Sequence, residues 1–174
     1  LVRFASLLLG LAGSSVFAAD AESRLDRMAS KLAGLDAFSV TIVMHYDLVQ
    51  QSGQKVQLSE RRQVRVRRPN ELRIDSQLSD GDLVSLVYDG KSLTLSHPER
   101  NVYAQVEHEG DIDSALRYAV GTLGIRTPLA RLLTTSLPED IRKLTQSLAY
   151  VERNTLDALP THHLAGRGKD VDYQ

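Results

Sequence analysis

The chain has 174 residues, about one domain's worth once an export signal is set aside, and a formal net charge of -1. That balance gives no argument for a general nucleic-acid binder. The lack of cysteine excludes disulfides, thiolate zinc sites, cysteine nucleophiles and an N-terminal lipid-modified cysteine.

Residues 1–20 read LVRFASLLLGLAGSSVFAAD. Arg3 precedes an apolar run from Phe4 to Leu11, and Val16-Phe17-Ala18 supplies small residues where a signal peptidase reads. Gly10, Gly13, Ser14 and Ser15 interrupt the run before it reaches the roughly 20 apolar residues of a membrane span. Residues 1–18 are therefore expected to be a cleaved signal peptide, and residues 19–174 a single exported, periplasmic domain. From Ala21 to Leu35, the apolar Leu25, Met28, Ala29, Leu32 and Leu35 recur at helical spacing, with Asp20 as N-cap.

Phe38 to Val49 alternates. Phe38, Val40, Ile42, Met44, Tyr46 and Leu48 fall on one face of a strand, with a mixed set on the other. Twelve residues at about 3.3 Å each span roughly 40 Å, long enough to require a twisted sheet. Gln51 to Gln54 reads as a hairpin turn, and Lys55 to Arg68 as a second strand. Val56, Leu58, Val64 and Val66 share one face of that strand, and Glu60 and Arg62 interrupt it. Turns at Pro69-Asn70 and Asp80-Gly81-Asp82 bracket a third strand, Glu71 to Leu78. Asp89-Gly90 joins Leu83–Tyr88 to Lys91–Ser96, and Val102–Val106 follows a loop. The period then changes: Ile112, Ala115, Leu116, Ala119, Val120 and Leu123 predict a helix capped by Asp111. Thr127-Pro128 predicts a second helix carrying Leu129, Leu132 and Leu133, and Leu137-Pro138 a short third. Ser147–Asn154 and Thr161–Gly166 return to strand. The alternation from Asp170 breaks off at Gln174, so further strands are expected beyond it.

A helix, a strand meander and a helical insertion define an α+β fold. The expected form is a curved antiparallel sheet preceded by an N-terminal helix and roofed by helices. Phe38-Ser39-Val40, Leu86-Val87-Tyr88-Asp89-Gly90, Leu93-Thr94-Leu95, Asn101-Val102-Tyr103-Ala104, His163 to Gly168 and Val171 to Gln174 carry a resemblance over nearly the whole mature chain. The chain resembles the LolA/LolB-like periplasmic carriers, and within them an uncharacterised family of predicted periplasmic proteins. The resemblance implies a half-open barrel with a helical lid over an apolar cavity, and a strand arginine that latches the lid. It singles out none of the arginines here for that role.

For function, Phe38, Val40, Ile42, Met44, Tyr46, Leu72 and Ile74 are the candidate lining of a lipid or acyl-chain cavity. The same residues would equally make an ordinary sealed core, since burial gains about 1.5 to 3 kcal/mol per large apolar side chain against either neighbour. Arg61, Arg65 and Arg67 share one strand face and are the candidates for an anionic headgroup or protein partner. An alternating-charge solvated face is the competing reading. His162 and His163 point to opposite faces, and no metal-ligand spacing occurs, so no metal or cofactor is expected. No nucleophile, phosphate-loop or dinucleotide signature is present, and no catalysis is expected. The expected activity is binding of a lipid acyl chain or lipoprotein tail, with peripheral membrane contact. The alternative is an envelope protein-interaction or stress-sensing module with a filled core.

Overall fold

A computed structural model describes residues 13–169 and 172–174. The expected signal peptide lies largely outside the described residues. From Gly13 the backbone is already helical, and helix α1 runs Gly13–Ala33, starting eight residues before the amphipathic pattern does at Ala21. No described helix is long and apolar enough to cross a membrane.

The chain divides into two compact units. One comprises residues 32–136 and holds six strands: β1 (Ala37–Val49), β2 (Lys55–Arg67), β3 (Glu71–Leu78), β4 (Leu83–Tyr88), β5 (Ser92–His97) and β6 (Val102–Glu107). They pair antiparallel in chain order and the sheet does not close. Short turns between alternating segments allow only nearest-neighbour pairing, so sequence order becomes spatial order. The β1–β2 ladder runs without a register shift from Ala37 opposite Arg67 to Val49 opposite Lys55. The long alternating strand β1 is thus an edge strand, bonded to β2 alone among the described residues.

Helix α2 (Ile112–Gly121) covers one face of this sheet. Ile112, Ala115, Leu116 and Ala119 form its buried stripe at i, i+3, i+4, i+7, the spacing of one helical face. They pack with Val64, Val66, Leu72, Ile74, Leu86, Tyr88 and Leu93 from the sheet. Asp111 caps the helix by accepting from the Ser114 N–H at 2.7 Å, as the sequence predicts. The helix expected from Thr127 does not form as such. Leu129 takes a left-handed backbone (φ 61°), and only a short 3₁₀ turn, Ala130–Leu133, follows. A left-handed residue cannot continue a right-handed helix, so Pro128 and Leu129 serve a turn instead of a first helical turn. That turn still delivers Leu133 into the core.

The other unit contains α1 up to Lys31, helix α3 (Leu137–Leu144) and a three-stranded sheet. Its strands are β7 (Thr145–Leu156), β8 (Leu159–Gly168) and β9 (Asp172–Tyr173). Ala21 and Leu25 of α1 and Leu148 of β7 form its core, with Ile141, Tyr150, Leu164 and Tyr173 packed around them. Asp157 and Ala158 (φ 49° and 65°) make the β7–β8 turn. That geometry favours Asn-Gly, so the dipeptide Asp-Ala gave little sequence signal for the tight hairpin.

Candidate functional site

The inward face of the six-stranded sheet has two halves of different character. Over the first, α2 closes the space completely. Leu72 and Ile74, both expected to line a cavity, are 2% and 3% exposed and sit in that filled core. Phe38 and Ile42 are partly buried against its margin.

The second half lies toward the β1–β2 hairpin and is open. In an antiparallel pair, residues directly opposite share a face. Tyr46 opposes Leu58 and Leu48 opposes Val56, in phase with Val64 and Val66 of the core. Tyr46 and Leu48 are nevertheless 45% and 52% exposed, while Met44, Val56 and Leu58 are half-buried. Val40, expected to face inward, is 40% exposed at the edge. The apolar alternation of β1 is therefore real, but protein covers only its first part.

A buried ion pair divides the two halves. Glu60 and Arg62 project from β2 onto the inward face, as their period-2 phase with Leu58 and Val64 requires. The Arg62 Nε donates to the Glu60 Oε1 at 2.5 Å, and both side chains are over nine-tenths buried. Arg62 Nη2 also donates to the Arg126 carbonyl at 3.2 Å, in the loop between α2 and the 3₁₀ turn. Ser76 of β3 is buried directly opposite Arg62. Sequence reasoning treated Glu60 and Arg62 only as interruptions of an apolar face. The signal was their phase, which placed both charges inside.

A second arginine fastens the helical segment at the other end of β2. Arg68 donates from Nε to the Leu35 carbonyl (3.1 Å) and from Nη2 to the Leu133 carbonyl (3.0 Å), with Asp113 3.9 Å away. Asp113 is buried and accepts from the Thr135 N–H (3.0 Å) and hydroxyl (2.5 Å). Asp113 stands in the first turn of α2. Its position on the buried side of α2 turns it into a tie between that helix and the chain after the 3₁₀ turn. Tyr88 adds a third fastening, its buried hydroxyl donating to the Gly110 carbonyl at 2.9 Å. His108 stacks on Tyr118 with centroids 4.6 Å apart.

The outward face carries the arginines singled out from sequence. Arg65 and Arg67 are 57% and 72% exposed at the side chain, and Arg61 is exposed on the same face. Arg65 reaches Asp75 at 3.4 Å and Arg67 reaches Glu71 at 3.1 Å. Arg73 also bonds Asp75, at 2.9 Å. This bond holds the Asp75 carboxyl below the usual carboxylate range, helped by the Ser85 hydroxyl and opposed by partial burial. Beside them lies an open depression of about 680 Å³, lined by Ser39, Arg65, Arg67, Arg73 and Val87 among others. It is open to solvent and charge-paired on its outward side, and Phe38, Val66, Leu72 and Tyr88 of the core face also border it.

One further cluster joins the β3–β4 turn to the end of β5. The ligand atoms of Asp82, His97 and Glu99 lie within 4.8 Å of one another. Asp82 already accepts from Arg100 at 3.0 Å and lies 3.1 Å from the His97 Nε2, and Glu99 accepts from the Leu83 N–H at 3.2 Å. Arg100, first among the causes, holds the Asp82 carboxyl below its usual range. Arg100 supplies the charge balance, so the cluster works as a clasp between two turns. In the other unit His162 and His163 go to different partners: Tyr150 and Arg24 for the first, Glu152 and Gln174 for the second. That separation is what opposite strand faces impose.

Residues 21–174 match the family model described as "Predicted periplasmic protein (DUF2092)". No curated protein matches the chain.

Proposed function

Since the chain belongs to this family of predicted periplasmic proteins, we propose that it binds an apolar ligand, a lipid acyl chain or lipoprotein tail, on the open half of the inward sheet face, without catalysis. The observation that carries this reading is the row Met44, Tyr46, Leu48, Val56 and Leu58. It continues the core face past the Glu60–Arg62 pair and has no cover of its own among the residues 32–136 that form its unit. An apolar chain laid there removes the same kind of surface from water as a core side chain does, at about 25 cal/mol per Å². Arg62 sits at the inner end of the row, where it donates to the Arg126 carbonyl. That contact suits the lid-latching arginine which the likeness to LolA/LolB-type carriers implies. Leu72 and Ile74 take part only if α2 withdraws.

The test is titration of delipidated protein with a fluorescent acyl probe. Tyr46→Asp with Leu48→Asp should weaken uptake at least about tenfold and leave the melting curve unchanged, since both side chains are about half exposed. No uptake by the native protein, or equal uptake by the variant, refutes the proposal.

The exposed Arg61, Arg65 and Arg67 support a second reading, an envelope protein or anionic headgroup docking on the outward face. Arg65→Glu with Arg67→Glu should then release a crosslinked partner without affecting acyl-probe uptake.

A further inference from the structure

Among the described residues, the outer edge of β1 pairs with no strand. Natural sheets blunt edges with lysines, prolines, bulges or very short strands, because an edge offers a row of unpaired N–H and C=O groups. β1 uses none of these. It is thirteen residues long, contains no Lys, Arg or Pro, and pairs with β2 without a bulge. It also carries Val40, Val43, Tyr46, Leu48 and Val49, five exposed large hydrophobics on a single strand.

The backbone bonds at its two ends show which residues face that edge. Arg68 N–H donates to the Asp36 carbonyl, and Gln50 N–H to the Gln54 carbonyl. Even-numbered positions are therefore the ones bonded toward β2. The alternation of an antiparallel ladder then turns the N–H and C=O of Ala37, Ser39, Thr41, Val43, His45, Asp47 and Val49 outward.

We propose that this edge pairs with the same edge of a second copy, about a two-fold axis through Val43. Pairing over the full strand, Ala37 opposite the partner copy's Val49, has one register, and it is self-complementary. Val43 then opposes its own copy, Thr41 opposes His45 and Ser39 opposes Asp47 on the outward face. On the inward face Ile42 opposes Met44, Val40 opposes Tyr46 and Phe38 opposes Leu48. All three inward pairs are apolar, and no like charges meet. A two-fold interface demands this self-match, since each residue must suit the one its counterpart faces. The seam joins two six-stranded sheets into one and sets the inward apolar rows of both copies side by side. A strand-edge seam is smaller than a standard protein interface, so the expected dimer is weak and reversible.

Val43 is 56% exposed and lies on the outward face, away from the acyl-binding row, so it tests the seam alone. Sedimentation of the full chain across micromolar concentrations should show a monomer–dimer equilibrium. Val43→Asp and Val43→Lys should each weaken the dimer at least about tenfold, by placing like charges opposite one another. An equal mixture of the two variants should restore it, because opposite charges then face across the axis. The chain has no cysteine. Val43→Cys should therefore be joined by a short thiol crosslinker far faster than Tyr103→Cys, which is 75% exposed on the opposite edge strand. A chain that stays monomeric overturns the proposal. So does a dimer indifferent to both charge variants, a mixture that fails to recover, or equal crosslinking at Tyr103→Cys. Unchanged melting of each variant shows that the fold is not what was lost.

Discussion

Replacing the Glu60–Arg62 pair tests the division of the inward face. Both side chains are over nine-tenths buried, and they bond to each other and to the Arg126 carbonyl. Arg62→Met leaves a carboxylate buried without its cation, and Glu60→Leu leaves a guanidinium in the same position. Removing one member of a buried pair costs about 3 to 5 kcal/mol, because the survivor keeps its desolvation penalty and loses its partner. With a urea dependence of about 2 kcal/mol per molar, either single variant should lose roughly 2 M in unfolding midpoint. The double variant removes both charges and extends the apolar face from Val64 to Leu58. It should return to within about 1 kcal/mol of the native protein. The assay is urea unfolding followed by circular dichroism on all four proteins, with the coupling energy taken from the cycle. Additive losses, with the double variant as weak as the two singles summed, would refute the reasoning. They would mean that the two side chains stabilise the fold independently, through contacts other than their own ion pair.

Leu72→Ala should cost about 2 to 5 kcal/mol, read as a lowered denaturation midpoint, because Leu72 is 2% exposed beneath α2. Asp111→Ala should cost about 1 kcal/mol, seen as a lower melting temperature, through loss of the bond to the Ser114 N–H. Asp75 should steepen the acid limb of the stability curve. Its folded pKa lies below its unfolded value, so its contribution is present above about pH 4 and is lost as pH falls through the folded pKa. Asp75→Asn should flatten that limb, and a limb of unchanged slope counts against the Arg73 bond. Gly90→Ala should be destabilising, since φ is +89° and an added Cβ would meet the Asn70 side chain.

Much of the fold could be read along the chain because its information is local. Period-2 runs between Gln51-Ser52-Gly53-Gln54, Pro69-Asn70 and Asp89-Gly90 can only zigzag, and the six-stranded order follows. The switch to a 3.6-residue period at Ile112 marks α2 and its buried stripe in the sequence itself. The candidate site was less legible. Alternation in β1 determined which side chains share a face, but it could not say how far a helix of ten residues would reach along a strand of thirteen.

That reach is a tertiary quantity. α2 is anchored at one end of the sheet by Arg68, Asp113 and Tyr88, and its stripe ends at Ala119. Leu72 and Ile74 are therefore sealed, whereas Tyr46 and Leu48, indistinguishable from them by pattern, remain open. In the same way, composition and phase put Glu60 and Arg62 on the apolar face, and only packing made them a buried pair. The sequence alone determined which residues face which way. Tertiary structure decided which of those faces meet protein, because burial depends on what arrives from elsewhere in the chain.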